Sequence, residues 1–220
     1  MDYINLHTHS SAKTDGVTAI VNQYPREFSA DIPLYSIGIH PWYIDVDKID
    51  IDLAIIEDTI MSESCLAVGE CGLDKKVDVP FALQVAVFES QLALAESYRK
   101  PVIIHCVAAF QELIEIKNRL KTTVPMIIHG FSKKAELAKQ LLDSGFYLSF
   151  GKYLLRNPEL ENVFQQVPAD RIFLETDSIE ESISDVYNVA AKYKQNSVDD
   201  LKTQIMDNFT TVFNSQKTKI

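Results

Sequence analysis

YINLHTH, Tyr3–His9, is an apolar run of strand length that ends in two histidines one residue apart. A single histidine ends YSIGIH (Tyr35–His40), PVIIH (Pro101–His105) and PMIIH (Pro125–His129). The chain has five histidines in 220 residues, and each stands at or just past the C-terminal end of an apolar run. Histidine has no strand-end preference of its own, so this placement calls for a cause.

Working outward, eight short apolar runs appear: Tyr3–Leu6, Val17–Val21, Leu34–Ile39, Cys65–Val68, Pro101–Ile104, Pro125–Ile128, Phe146–Phe150 and Arg171–Leu174. Several are apolar almost without interruption, as strands buried on both faces are. Between the later runs lie helical patterns. Phe81, Val85, Phe88, Leu92 and Ala95 form a stripe at helical period, as do Phe110, Leu113, Ile114 and Leu120. Ser132 reads as the cap of a helix carrying Leu137, Leu141 and Leu142, with Gly145 at its left-handed end. Asn157-Pro158 reads as N-cap and N1 proline, Ser178 with Glu181 as a capping box, and Ser197 as the cap of a last helix whose Leu201, Ile205 and Phe209 face inward. The gaps after the first and second runs are too short for a helix with its two loops. The expectation is an α/β fold, a TIM-like (β/α)8 barrel with one or two outer helices reduced near the N-terminus, as a single domain over residues 1–220.

Composition bounds the function. The formal net charge is −10, a field that repels polyanions and argues against a broad nucleic-acid groove, although bound dications reverse the potential locally. No apolar run reaches the roughly 18 residues of a membrane span. The opening MDYINLHTHSS lacks the basic and apolar regions of a signal peptide, which makes the cytoplasm the expected location. Cys65, Cys71 and Cys106 are an odd count with no CxxC pair, and read as small core residues.

A (β/α)8 barrel carries its chemistry at the C-terminal ends of its strands, so the five histidines are expected to converge. His7 and His9, two apart on extended backbone, point the same way and can chelate one cation with two imidazoles. Glu70 in VGECGLD and Asp177 in LETDS end the fourth and eighth runs, and Glu175 is placed to face the same side as Asp177. Carboxylates neutralise dications and can bridge two of them. The mixed donor set suits Zn²⁺, Mn²⁺, Fe²⁺ or Co²⁺ better than an all-oxygen Mg²⁺ site, with Mg²⁺ compatible at one position. Two such ions roughly 3.5–4 Å apart would activate a shared water. Asp177 is the candidate base.

With these residues in place the sequence resembles the TatD family of metal-dependent hydrolases. The matching motifs are LHTHS, GIHPW, VGECGLD, PVIIHC, IIHGFS, FYLSFG, FLETDS and the tail DNFTTVF, in the family's order over nearly the whole chain. The resemblance implies a two-metal barrel that hydrolyses ester bonds, most often phosphoesters, with DNA ends among the substrates. It implies that His7, His9, Glu70 and Asp177 hold one metal. It implies that Glu70, His105 and His129 hold the other, with Glu70 bridging and serving catalysis beside Asp177. His40 would contact substrate near a phosphate.

The chain also departs from the family. His105-Cys106-Val107 stands where the family usually has His-Ser-Arg, Lys133 where it has glycine, and Ser178-Ile179 where it has Ser-Pro and a long loop. Lys133 is the expected substrate contact among Lys75, Lys76, Lys133 and Lys152, which follow strand ends. Two other readings fit part of the pattern. LHTHSSAKTDG also looks like the first motif of PHP-type phosphoesterases, in which Asp15 would be a ligand. The third reading is a metal-binding barrel without catalytic activity.

Overall fold

The computed structural model of the chain describes residues 1–213. All eight apolar runs form strands: β1 (Tyr3–Thr8), β2 (Val17–Gln23), β3 (Tyr35–Ile37), β4 (Cys65–Asp74), β5 (Val102–Val107), β6 (Met126–Ile128), β7 (Tyr147–Phe150) and β8 (Ile172–Leu174). They hydrogen-bond in chain order, β1 to β8. The helices are α1 (Ile49–Ile60), α2 (Phe81–Tyr98), α3 (Phe110–Leu120), α4 (Ala135–Asp143), α5 (Lys152–Arg156), α6 (Leu160–Gln166), α7 (Ile183–Lys194) and α8 (Val198–Phe213). As their length requires, the β1–β2 and β2–β3 connections hold no α-helix, the second having only a 3₁₀ turn at Pro25–Glu27.

The chain divides into two compact units, Met1–Val21 with the chain from Ile127 onward, and Asn22–Met126. In the first, β1 pairs parallel with β2, Tyr3 opposite Val17 and Asn5 opposite Ala19, and β7 pairs with β6 and β8. A bridge from Thr8 to Asp177 joins the end of β1 to the segment after β8. Tyr187 of α7 pins β1, its hydroxyl accepting from Ile4 N–H and donating to Ile4 C=O. Ile172, Phe173 and Leu174 are wholly buried, which explains why this strand reads as a continuous apolar run.

In the second unit β4 pairs parallel with β3 and β5. Its register against β5 steps from Val68–Val102 to Cys71–Ile104, so β4 carries one extra residue there. Such a bulge bends a strand and re-aims a side chain, and the residues inside it are Gly69 and Glu70. Gly69 and Gly72 both take positive φ, 139° and 146°. A Cβ on Gly72 would stand 2.0 Å from the His105 carbonyl oxygen. Helix α2 turns two buried amides toward this unit's strand ends. Gln84 accepts from Asp74 N–H at 2.8 Å and donates to Asp74 C=O at 2.9 Å, while Gln91 accepts from Ile39 N–H at 2.7 Å.

Several helix starts differ from the sequence reading. α4 begins at Ala135 after Lys134, with no side-chain cap, rather than at Ser132. The capping box of α7 is Ser182 with Asp185, one turn beyond Ser178. Asn157 caps a turn, accepting from Glu159 N–H, and α6 starts after it. After β6 and β8 the chain runs on for a few residues before it can helix, whereas Asn157 directly follows α5. Ser197 does accept from Asp200 N–H at the start of α8, and Gly145 has φ 79°. On α8 the buried face is Leu201, Ile205, Asn208, Val212 and Phe213, with Phe209 half-buried.

Gly72→Ala forces a side chain into the His105 carbonyl and into a left-handed backbone. It is expected to cost about 3 kcal/mol or more, read as a fall in the denaturant midpoint; an unchanged midpoint would show that β4 can relax there.

Candidate metal centre

In the first unit the backbone itself brings three candidate ligands together. His9 N–H donates to Asp177 C=O at 3.0 Å and Asp177 N–H to His7 C=O at 2.9 Å, so Asp177 is laced to both histidines of β1. Asp177 adopts a left-handed conformation, which Asp tolerates better than most residues. His9 Nε2 lies 3.4 Å and His7 Nε2 3.9 Å from Asp177 Oδ1. The His7 ring is also 4.5 Å from the His129 ring, centroid to centroid. Behind His129, the wholly buried Glu175 accepts from Gly130 N–H at 2.7 Å and lies 3.4 Å from His129 Nδ1.

The second unit repeats the theme with other residues. Glu70, presented by the β4 bulge and held through its N–H on Asn22 Oδ1 at 2.6 Å, meets two imidazoles. His40 Nε2 is 3.1 Å and His105 Nδ1 2.9 Å from Glu70 Oε1. The far side of His105, Nε2, is 3.3 Å from Asp74 Oδ2, which also accepts the Trp42 indole N–H at 2.7 Å. Burial alone would raise the Asp74 pKa. Donors from Trp42, the Lys76 backbone and His105 outweigh that and hold it below the usual carboxylate value.

The donor chemistry fits divalent cations. Candidate donor atoms of His7, His9 and Asp177 lie within 4.8 Å of one another, and so do side-chain nitrogen and oxygen atoms of His40, Glu70 and His105. A neutral imidazole that gives one nitrogen to a cation keeps its proton on the other, and a carboxylate behind it fixes that tautomer. Asp74 stands in this relation to His105, and Glu175 to His129. His40 is different. Its Nδ1 accepts from Trp42 N–H at 3.1 Å, which leaves the ring proton on Nε2. His40 thus faces Glu70 as a hydrogen-bond donor rather than with a lone pair. The cysteines stay out of the chemistry: all three are buried, and burial pushes the Cys65 thiol up to about 11 and Cys71, beside Glu70, higher still.

Lys133 lines a cleft of about 770 Å³ against α4 and α6, with none of the five histidines on its wall. Lys75 pairs with Glu112, and Lys152 lies over the Tyr153 ring. Asp15 belongs to none of the ligand clusters among the described residues. Asp74 was within reach of the sequence reading: on a strand with period two it shares a face with Glu70. Nothing in the sequence marked Asn22 as the anchor of Glu70.

The sequence profile of the family described as "TatD related DNase" matches residues 3–214. An uncharacterized metal-dependent hydrolase of Bacillus subtilis, YabD, is 38% identical over 149 residues, 64% of this chain and 57% of that protein. The 3'-5' ssDNA/RNA exonuclease TatD of Edwardsiella piscicida is 32% identical over 148 residues, 64% and 56% of the two chains. The chain thus matches little more than half the length of these relatives. Among solved structures, the Escherichia coli TatD homologue YjjV superposes with a TM-score of 0.83 over 96% of this chain and 98% of that one, at 22% identity. A TatD-family hydrolase from Entamoeba histolytica gives 0.80 over the same shares, at 16%. At such identities these two structures speak for the fold alone, the TIM-like (β/α)8 class.

If Asp74 sets the His105 tautomer, Asp74→Asn lowers metal affinity ten- to a hundredfold, by the usual effect of losing such a partner. Chelator competition measures it, and an affinity equal to wild type would dismiss the positioning role.

Proposed function

Because the chain belongs to the TatD related DNase family, we propose that it hydrolyses phosphoester bonds with the help of two divalent cations, Zn²⁺, Mn²⁺ or Mg²⁺. The observation that carries this reading is the pairing, in each unit, of imidazole and carboxylate donors with a further buried carboxylate behind one imidazole. Bound cations would supply Lewis acidity and lower the pKa of a water molecule.

The chain's own residues supply the rest. His7, His9 and Asp177 would hold one cation, and Glu70 with His105 the other. Asp177 is partly open to solvent, so it can accept a proton from the attacking water and pass it on. His40, fixed by Trp42 N–H as a donor through Nε2, offers a hydrogen bond to an oxygen on which negative charge develops. Val107 stands where the resemblance expects arginine, so charge on a phosphate has to be met by the cations rather than by a guanidinium.

With a net charge of −10, the chain suits a short single-stranded end or a small phosphate ester better than a long duplex. The name of the Edwardsiella relative, an ssDNA/RNA exonuclease, supports the first of these. Among the described residues no helix is long and apolar enough to cross a membrane.

The test is a substrate panel on metal-reconstituted protein, with single-stranded oligonucleotides and small phosphate esters, with and without chelator. Chelator-sensitive cleavage is expected, and its absence with every substrate and metal defeats the proposal. Asp177→Asn is expected to lose about a hundredfold or more in kcat while retaining most bound metal; near-wild-type turnover would remove Asp177 as the base. His40→Ala should keep its metal and lose about tenfold or more in kcat/KM. Loss of metal there instead would make His40 a ligand.

A further inference from the structure

His40 is a wall of the Glu70 cluster and also of a separate cavity within the same unit. That cavity has a volume of about 370 Å³, near the lower end of the roughly 300–1,000 Å³ usual for small-molecule pockets. It has room for one ring system and not for a length of chain. Its walls include Tyr24, Arg26, Ile39, His40, Tyr43 and Asp52. Tyr24 and Tyr43 meet edge to face with centroids 5.1 Å apart, and the His40 ring lies 5.5 Å from that of Tyr43. Tyr43 nevertheless leaves half its surface bare, at 51% exposure.

The polar side of the cavity argues against a phosphate. Arg26 places Nε 3.2 Å from Asp52 Oδ1 and one terminal nitrogen 3.6 Å from Asp45 Oδ2, and donates from the other to the Tyr43 carbonyl at 3.1 Å. Two acids against one guanidinium leave no net positive charge for an anion. Asp52 is 2% exposed, so the cavity has a nearly dry carboxylate and a guanidinium beside an aromatic wall. A planar, neutral ring with donors and acceptors on its edge matches that surface.

We propose that this cavity is a nucleobase subsite, in which the base stacks on Tyr43 and turns its polar edge toward Asp52 and Arg26. The base would then lie across His40 from Glu70, so the phosphate of the same nucleotide need travel only past one side chain to reach the cluster. That last step rests on the hydrolase reading above, whereas the binding of a base does not.

Calorimetric titration of the metal-loaded full chain separates the two. Deoxyadenosine carries the base without phosphate, and 2-deoxyribose 5-phosphate carries phosphate without the base. Deoxyadenosine is expected to bind, Tyr43→Ala to weaken it at least about tenfold, as loss of one base–aromatic stack does, and Tyr43→Phe to leave it near wild type. Affinity for the sugar phosphate should be the same in all three proteins. Failure of deoxyadenosine to bind, or equal binding by Tyr43→Ala, overturns the subsite. Cleavage of oligonucleotides ending in a normal or an abasic residue adds the second readout. Equal KM for the two also overturns the subsite while leaving the hydrolase standing. Base binding with no ester cleavage supports the subsite and overturns the hydrolase.

Discussion

Taking a carboxylate out of water is costly unless donors or cations replace the lost hydration, and this chain does so at three positions in or just after its strands. Glu70, Asp74 and Glu175 are each at most 3% exposed. Glu70 meets the imidazoles of His40 and His105, Asp74 collects the Trp42 indole and His105, and Glu175 takes Gly130 N–H beside His129. Buried acids interleaved with imidazoles are a poor way to build a core. As the inside of a cation site they are consistent, because the cation supplies the missing charge.

Much of the backbone serves that arrangement. The β4 bulge presents Glu70, and the glycines on either side of it let β5 approach closely enough for His105 to meet both acids. Gln84 and Gln91, polar residues on the buried face of α2, hold the chain at Asp74 and at Ile39, next to His40. Each of these amides satisfies strand-end groups that water would otherwise have to reach. A buried network of this kind tolerates substitution badly, since removing one partner strands another.

The strands were legible in the sequence because parallel strands covered on both faces are written as unbroken apolar runs, and all eight fell within a few residues of their expected places. The histidines were legible for the complementary reason: a polar residue ending such a run has no packing motive to be there. What escaped was tertiary. Ser132 and Ser178 have good capping chemistry, but the loops after β6 and β8 extend beyond them before a helix begins. Gln84 and Gln91 carried no sequence signal, since their partners are backbone groups of other segments. The donor role of His40 depends on a turn that folds Trp42 N–H back onto its ring, which no spacing rule could supply.

The central claim is that imidazole nitrogens and carboxylate oxygens of this chain hold divalent cations. Metal-edge X-ray absorption on the Zn²⁺- or Mn²⁺-reconstituted full chain, after loosely bound metal is removed, tests it most directly. The account predicts retained metal with a first coordination shell of nitrogen and oxygen, imidazole scattering beyond it and no sulfur. Protein that retains no metal, or a shell containing thiolate sulfur, would contradict it.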